Sequence, residues 1–288
     1  MKKPRWKPFP HDQAPYDYDG AALRKNWPRL HQGDCEPYPD VDWVKKALAA
    51  SPAAKKSCGK LAANSDALAE ALQQAWRLYH RGDFKEAHDQ GMNLGLLGYT
   101  VANKAAGMQA TYLEPDGEAS LALFQSAAER AAELGEALPA HANGHYLAAY
   151  CLGRYSQGIS VLKALAQGLG GKVKEALDAT LQLAPKHAEA HSALGTWHAE
   201  IIDKVGGLMG GMTYGAGKDK ALAHYRKALD LHPKSAIARV EYARGLLMLQ
   251  PSKEAEARKL LQEAGRLKPA DAMEKLDGEL AKARLEEI

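Results

Sequence analysis

The chain has 288 residues, 46% of them apolar and 25% charged, which is enough for one large domain or two small ones and too long for a fold held by disulfides alone. Alanine contributes 53 residues against 7 Val, 5 Ile and 3 Phe, so small side chains dominate the apolar fraction, strand formers are scarce, and a sheet-based fold is disfavoured. The net charge is +3, and residues 1–60 hold 12 basic and 7 acidic side chains; the rest is close to neutral, without the basic footprint of a nucleic-acid binder.

Eight of the 14 prolines fall in the first 52 residues, together with Trp6, Phe9, Tyr16, Tyr18, Trp27, Tyr38 and Trp43. Prolines forbid one continuous helix there, whereas disordered tails are poor in aromatics, so residues 1–39 read as an extended arm lying on the body. Asp40 reads as the N-cap of a short helix, DVDWVKKALAA, which stops at Ser51-Pro52 because the residue before a proline avoids the α region. The start MKKPRWKPFPHDQ lacks the apolar run of a signal peptide. No stretch of 18 apolar residues occurs and the mean hydropathy is −0.42, so no membrane span is expected and the expected compartment is the cytoplasm.

From about residue 62 the pattern is helical almost without interruption. Leu152, Tyr155, Ile159, Leu162, Ala166 and Leu169 form one stripe; Leu194, Trp197, Ile201, Val205 and Leu208 form another. The punctuation repeats as well. Pro139-Ala-His-Ala-Asn-Gly-His145 is echoed by Pro185-Lys-His-Ala-Glu-Ala-His191, and LQLAP (181–185), LDLHP (229–233) and GRLKP (265–269) each precede a helix start. Recurrence at fixed phase predicts an array of like units. Residues 1–61 then form the arm and short helix, 62–269 the repeats, and 270–288 a polar helix capping the last apolar face.

The unit resembles the tetratricopeptide repeat. Ala221, Tyr225, Ala228 and Pro233 match its helix B, as do Ala257, Leu261, Ala264 and Pro269; Leu194-Gly195 and Tyr242-Ala243 sit where helix A carries its Leu-Gly pair, and GDFKEA (82–87) looks like the turn. Small residues at these positions allow two helices to cross closely. About a dozen extra residues lie between Leu194-Gly195 and Ala221, with a similar excess after Ala149; the stripes predict that they lengthen helix A by two or three turns and add Gly-rich turns at 168–172 and 206–218. Such long-helix repeats resemble the regulator-of-microtubule-dynamics group and, less closely, the helical component of bacterial tripartite transporters.

Chemistry-bearing patterns are few. His141/His145 and His187/His191 are i,i+4 pairs that could present two imidazoles on one face, as zinc sites require, but no HExxH or neighbouring cysteine accompanies them, and they read as packing residues rather than metal ligands. GGMTYGAGKD (210–219) lacks the glycine and Ser/Thr of a phosphate loop and reads as a helix connection, with Met209 and Met212 as apolar filling and with the loop free to act as a lid. Cys35, Cys58 and Cys151 show no metal spacing and read as reduced thiols. No catalytic residue, cofactor or metal is expected.

The expected fold is therefore an all-α, right-handed α-solenoid of tetratricopeptide-like hairpins with an N-terminal arm and a C-terminal capping helix. The resemblance implies a binding scaffold whose concave groove is lined by Asn143, Tyr146 and Tyr150, by Glu189, Ser192 and Thr196, and by Ile237, Val240 and Arg244. This mixture suits a protein or peptide partner in extended or helical form. Self-association stays open. The rival reading is a small-molecule carrier with an apolar cavity walled by the long helices of 142–208 and the 206–218 loop; a metal enzyme built on the histidine pairs is a weaker third. The arm's aromatics either brace the outside of the array or occupy its groove, and the brace is preferred.

Overall fold

Polar side chains cap half of the sixteen α-helix starts among the described residues. Asp40, Ser51, Asn64, Asp116, Ser160, His187, Ser235 and Asp271 each accept a hydrogen bond from a main-chain N–H of the first helical turn that follows, satisfying donors that a helix leaves orphaned. In the computed structural model, which describes residues 6–288, the helices are α1 (Gly20–Leu30), α2 (Val41–Ala50), α3 (Pro52–Ser57), α4 (Ser65–Arg81), α5 (Phe84–Asn93), α6 (Tyr99–Met108), α7 (Gly117–Ala137), α8 (Ala142–Gln157), α9 (Val161–Ala166), α10 (Leu169–Leu183), α11 (Ala188–Val205), α12 (Gly207–Tyr214), α13 (Lys218–Leu231), α14 (Ala236–Leu249), α15 (Glu254–Arg266) and α16 (Ala272–Glu286). No strand occurs among the described residues, and no helix there is long and apolar enough to cross a membrane.

The chain divides into two compact units. Unit 1 holds residues up to Leu30 and Glu36–Gly158; unit 2 holds His31–Cys35 and Ile159–Ile288. Within unit 1, α4 pairs with α5, α6 with α7, and α7 with α8; within unit 2, α10 pairs with α11, α11 with α13, and α14 with α15, while α16 packs on α14 and α15. This is the expected helical-repeat packing, with Ala236, Val240, Ala243, Ala257, Leu261, Ala264 and Ala281 forming one apolar cluster across α14, α15 and α16.

The small residues lie at the crossings. Ala221, Ala228, Ala257 and Ala264 are fully buried, and a Cβ at Gly195 would stand 2.8 Å from the ring of Tyr225. The repeats also share a turn device. His145 Nε2 lies 3.0 Å from the Pro139 carbonyl, His191 Nε2 3.2 Å from that of Pro185, and Arg239 Nη1 donates to that of Pro233 at 2.8 Å. These three closing prolines thus have their carbonyls bound by the side chain six residues on.

Three expectations need amendment. Residues 20–30 of the arm are helical, because Leu23, Trp27 and Leu30 form one buried face that outweighs the single main-chain donor missing at Pro28. The surplus residues do not extend helix A by two or three turns: Gly158 and the Ser160 cap end α8 and begin α9, and Gly206, at φ +82°, ends α11 before α12. Finally, the 206–218 segment is helical over most of its length, and Met209 and Met212 are exposed rather than filling a core.

The arm's aromatics brace the first hairpin. The Phe9 ring meets Phe84 edge-on at 6.3 Å, Trp27 meets Trp76 at 5.5 Å, and Trp6 packs against the α6–α8 cluster. Trp27 Nε1 also donates to the Glu36 carbonyl at 2.7 Å.

Candidate functional site

In unit 2 the spacing of helix A brings a polar ladder together. Glu189, Ser192, Thr196 and Glu200 recur at three- and four-residue intervals on α11, hence on one face. α14 packs alongside and supplies Glu241 and Arg244. Thr196 Oγ1 donates to Glu241 Oε2 at 3.2 Å and accepts from the Tyr225 hydroxyl at 3.1 Å; Arg244 Nη2 donates to Glu200 Oε1 at 2.6 Å and lies 3.6 Å, through Nη1, from Glu241 Oε2. Lys204 Nζ stands 3.6 Å from Glu200 Oε2. Both carboxylates are buried, and the Arg244 side chain keeps about a third of its surface open. A charge-assisted pair with its guanidinium still accessible can offer further donors to a bound chain. Burial and the carboxylates nearby raise the Tyr225 hydroxyl far above its ordinary value, so it serves as a neutral hydrogen-bonding group.

Of the expected lining residues, Thr196 and Arg244 thus stand in this ladder, with Ser192 buried one turn before Thr196. Val240 belongs to the α14–α16 apolar cluster and Ile237 packs against it, so these two side chains serve packing between helices. Glu189 begins the α11 row, where its N–H donates to the Gly33 carbonyl at 3.0 Å. The arm contributes a main-chain partner there. The neighbouring Cys35 thiol is pushed up to about 11 by burial, then by Asp34 and Glu189, which makes it a poor nucleophile.

In unit 1, Asn143 is buried and its Nδ2 donates to Glu36 Oε2 at 2.5 Å, with His141 Nε2 3.7 Å from the same oxygen. Tyr146 and Tyr150 stack at 6.2 Å; the Tyr150 hydroxyl shares a hydrogen bond of 3.0 Å with Thr111, and Arg154 lies 5.6 Å over its ring. Burial raises the Tyr150 pKa. Asn143 is therefore already engaged by the arm, while the two tyrosines form a braced aromatic step.

The histidine pairs are dispersed into separate structural tasks. His141 shares a hydrogen bond with Thr100 at 2.9 Å, and His187 Nδ1 accepts from the Ala190 N–H at 3.0 Å as a helix cap, while His145 and His191 close turns. Among the described residues no cluster of three or more His, Cys, Asp or Glu side chains is arranged to hold a metal. A different histidine group does form in unit 2. His191 Nδ1 lies 3.0 Å from His224 Nδ1, and His198 stacks on His224 at 5.8 Å.

Burial lowers all three imidazoles, His198 and His224 to about 4, with His224 and Lys220 next among the causes for His198, and His191 and Lys174 next for His224; Asp178 opposes both. The unfolded chain takes up the His198 and His224 protons near pH 6.5 and the folded chain only near 4, so the stability they contribute is complete above about pH 6.5 and falls as the pH drops toward 4. The denaturant midpoint is expected to be lower at pH 5 than at pH 7.5, and His224→Asn is expected to shrink that difference. A midpoint constant over this range would contradict the assignment.

Glu200 and Glu241 are the functional candidates that residue spacing missed. Their hydrogen-bond partners across the two helices lie more than 40 residues away in sequence; the local hints are that Glu200 continues the 189–192–196 row and that Lys204 and Arg244 follow at i+4 and i+3.

The family model described as regulator of microtubule dynamics protein 1-3 matches residues 101–288. No curated protein matches the chain. Of the resemblances drawn from sequence, the long-helix regulator group is the one that this match bears out.

Proposed function

Because the chain belongs to the regulator of microtubule dynamics protein 1-3 family, we propose that it is a non-catalytic scaffold of tetratricopeptide-like hairpins that holds a protein or peptide partner on the helix-A faces. The observation that carries this reading is the ladder of Thr196, Glu200, Glu241 and Arg244, a hydrogen-bonded polar row with an accessible guanidinium where α11 and α14 lie side by side. Fixed side-chain donors and acceptors along a helix face suit the main chain of an extended peptide. The arm occupies the Glu189 and Asn143 ends of the expected lining, so the partner's contacts fall toward Thr196, Glu200 and Arg244.

The rival carrier reading requires the 206–218 segment to wall an apolar cavity, and the exposure of Leu208, Met209 and Met212 does not favour it. Three free thiols, Cys35, Cys58 and Cys151, fit a reducing compartment such as the cytoplasm. The family name makes co-sedimentation with microtubules the first partner assay. Binding of a captured partner is expected to weaken at least about tenfold in Arg244→Ala, the effect of losing one charge-assisted contact. Equal binding by a folded Arg244→Ala protein would contradict the placement.

A further inference from the structure

We infer that one end of unit 2 is a docking tip for an anionic lipid bilayer surface. Among the described residues, seven large apolar side chains are exposed, and six of them lie on two short helices: Val161, Leu162 and Leu165 on α9, and Leu208, Met209 and Met212 on α12. Leu162, Leu208 and Met212 are 80%, 78% and 79% exposed. Concentrating such residues at two places, while the rest of the surface has almost none, departs from the scattered singles normal for a soluble surface.

The two helices stand at the same end of the unit. α12 turns back on the end of α11, where Gly210 packs against Ile201 and Val205, and Tyr214 lies beside Trp197. α9 runs into α10, whose first turn meets the same place: Gly170 lies against Ile201 and Tyr214, and its carbonyl accepts from Trp197 Nε1 at 2.8 Å. The small residue Gly210 is buried on the inner side of α12, which leaves Leu208, Met209 and Met212 to face outward. The packing of each helix on the unit thus turns the apolar side chains away from it.

The charge around this end selects the occupant. From Ile159 to Lys174 there are three lysines and no acid, and from Lys204 to Lys218 two lysines and no acid. Lys163, Lys172, Lys218 and Lys220 are exposed, against exposed Glu175, Asp203 and Asp219. Apolar side chains that protrude among lysines match the boundary between acyl chains and anionic headgroups, where the first insert shallowly and the second meet phosphate. A second copy of the chain is a poorer fit, because a two-fold contact through this end would bring the two lysine sets together. The inference goes beyond the proposed peptide site, since none of the ladder residues takes part.

Sedimentation of the full chain with phosphatidylcholine vesicles, with and without about one third phosphatidylserine, tests the inference. Binding is expected to the anionic vesicles and to weaken as salt rises. A Leu162→Ser/Leu208→Ser/Met212→Ser variant is expected to lose at least about tenfold in partitioning, and Lys163→Gln/Lys172→Gln/Lys218→Gln to lose a similar factor on anionic vesicles. Both variants are expected to keep the parental melting temperature, because the altered side chains are exposed. Failure of the parent to bind anionic vesicles would overturn the inference, as would equal binding by the serine variant. Self-association abolished by the same serine substitutions, without vesicle binding, would assign the tip to a second copy instead. Loss of peptide binding alone in Arg244→Ala would leave the vesicle result unchanged, so the two proposals fail separately.

Discussion

Removing residues 1–39 is expected to lower the unfolding free energy by more than any single substitution in the repeats. Leu23 is fully buried, and Phe9, Tyr16, Trp27 and Leu30 are each at most 7% exposed; burying one such side chain contributes about 1.5–3 kcal/mol. Deletion also uncovers their partners on α4 and α5, Trp76 and Phe84, and leaves Asn143 without Glu36. Trp27→Ala alone is expected to cost about 3–5 kcal/mol. Urea unfolding followed by circular dichroism checks both. A deletion protein with the parental midpoint would show that the arm braces nothing.

The second large effect belongs to the Tyr225 crossing. The ring is fully buried and stacks on Tyr242 at 5.1 Å, with Gly195 on one side; on α14, a Cβ at Gly245 would overlap its hydroxyl. The close approach of α11, α13 and α14 therefore depends on two positions without a side chain. Gly245→Ala is expected to push the tyrosine out of its place and break its bond to Thr196, at a cost of about 1–3 kcal/mol. Ala228→Leu, at a fully buried crossing, is expected to cost a similar amount. Ser192→Ala on the same helix face is expected to stay within about 1 kcal/mol, which separates overpacking from a general sensitivity of α11. Unchanged midpoints for both bulky variants would refute the alignment of these repeats.

Much of this architecture is legible in the residues. Asp40 announces α2, and Ala221, Tyr225, Ala228 and Pro233 announce a helix B, because these residue types have one local meaning at that spacing. At Gly206 and Gly158 the apolar stripe continues in register, so periodicity alone places Leu208 and Leu162 in the core, whereas a single positive φ at Gly206 turns the chain and carries Leu208 out to the surface. Pro28 misled in the opposite direction. It suggests a break, yet the Leu23, Trp27 and Leu30 face buries enough to keep α1 helical. In the ladder, Thr196 and Arg244 follow from repeat alignment, but Glu200 and Glu241 gain meaning only when α11 and α14 lie side by side. The Asn143–Glu36 contact spans 107 residues of sequence, and nothing local marks either residue as a partner of the other.

The scaffold reading rests on where a partner touches the chain, so the most direct measurement is photo-crosslinking from single positions followed by mass spectrometry of the joined peptides. A crosslinker placed at Arg244, and another at Lys204, should join the same protein partner through neighbouring segments, while one at the exposed Lys227 of α13 should join none. Capture of that partner from Lys227 but not from Arg244 or Lys204 would contradict the account.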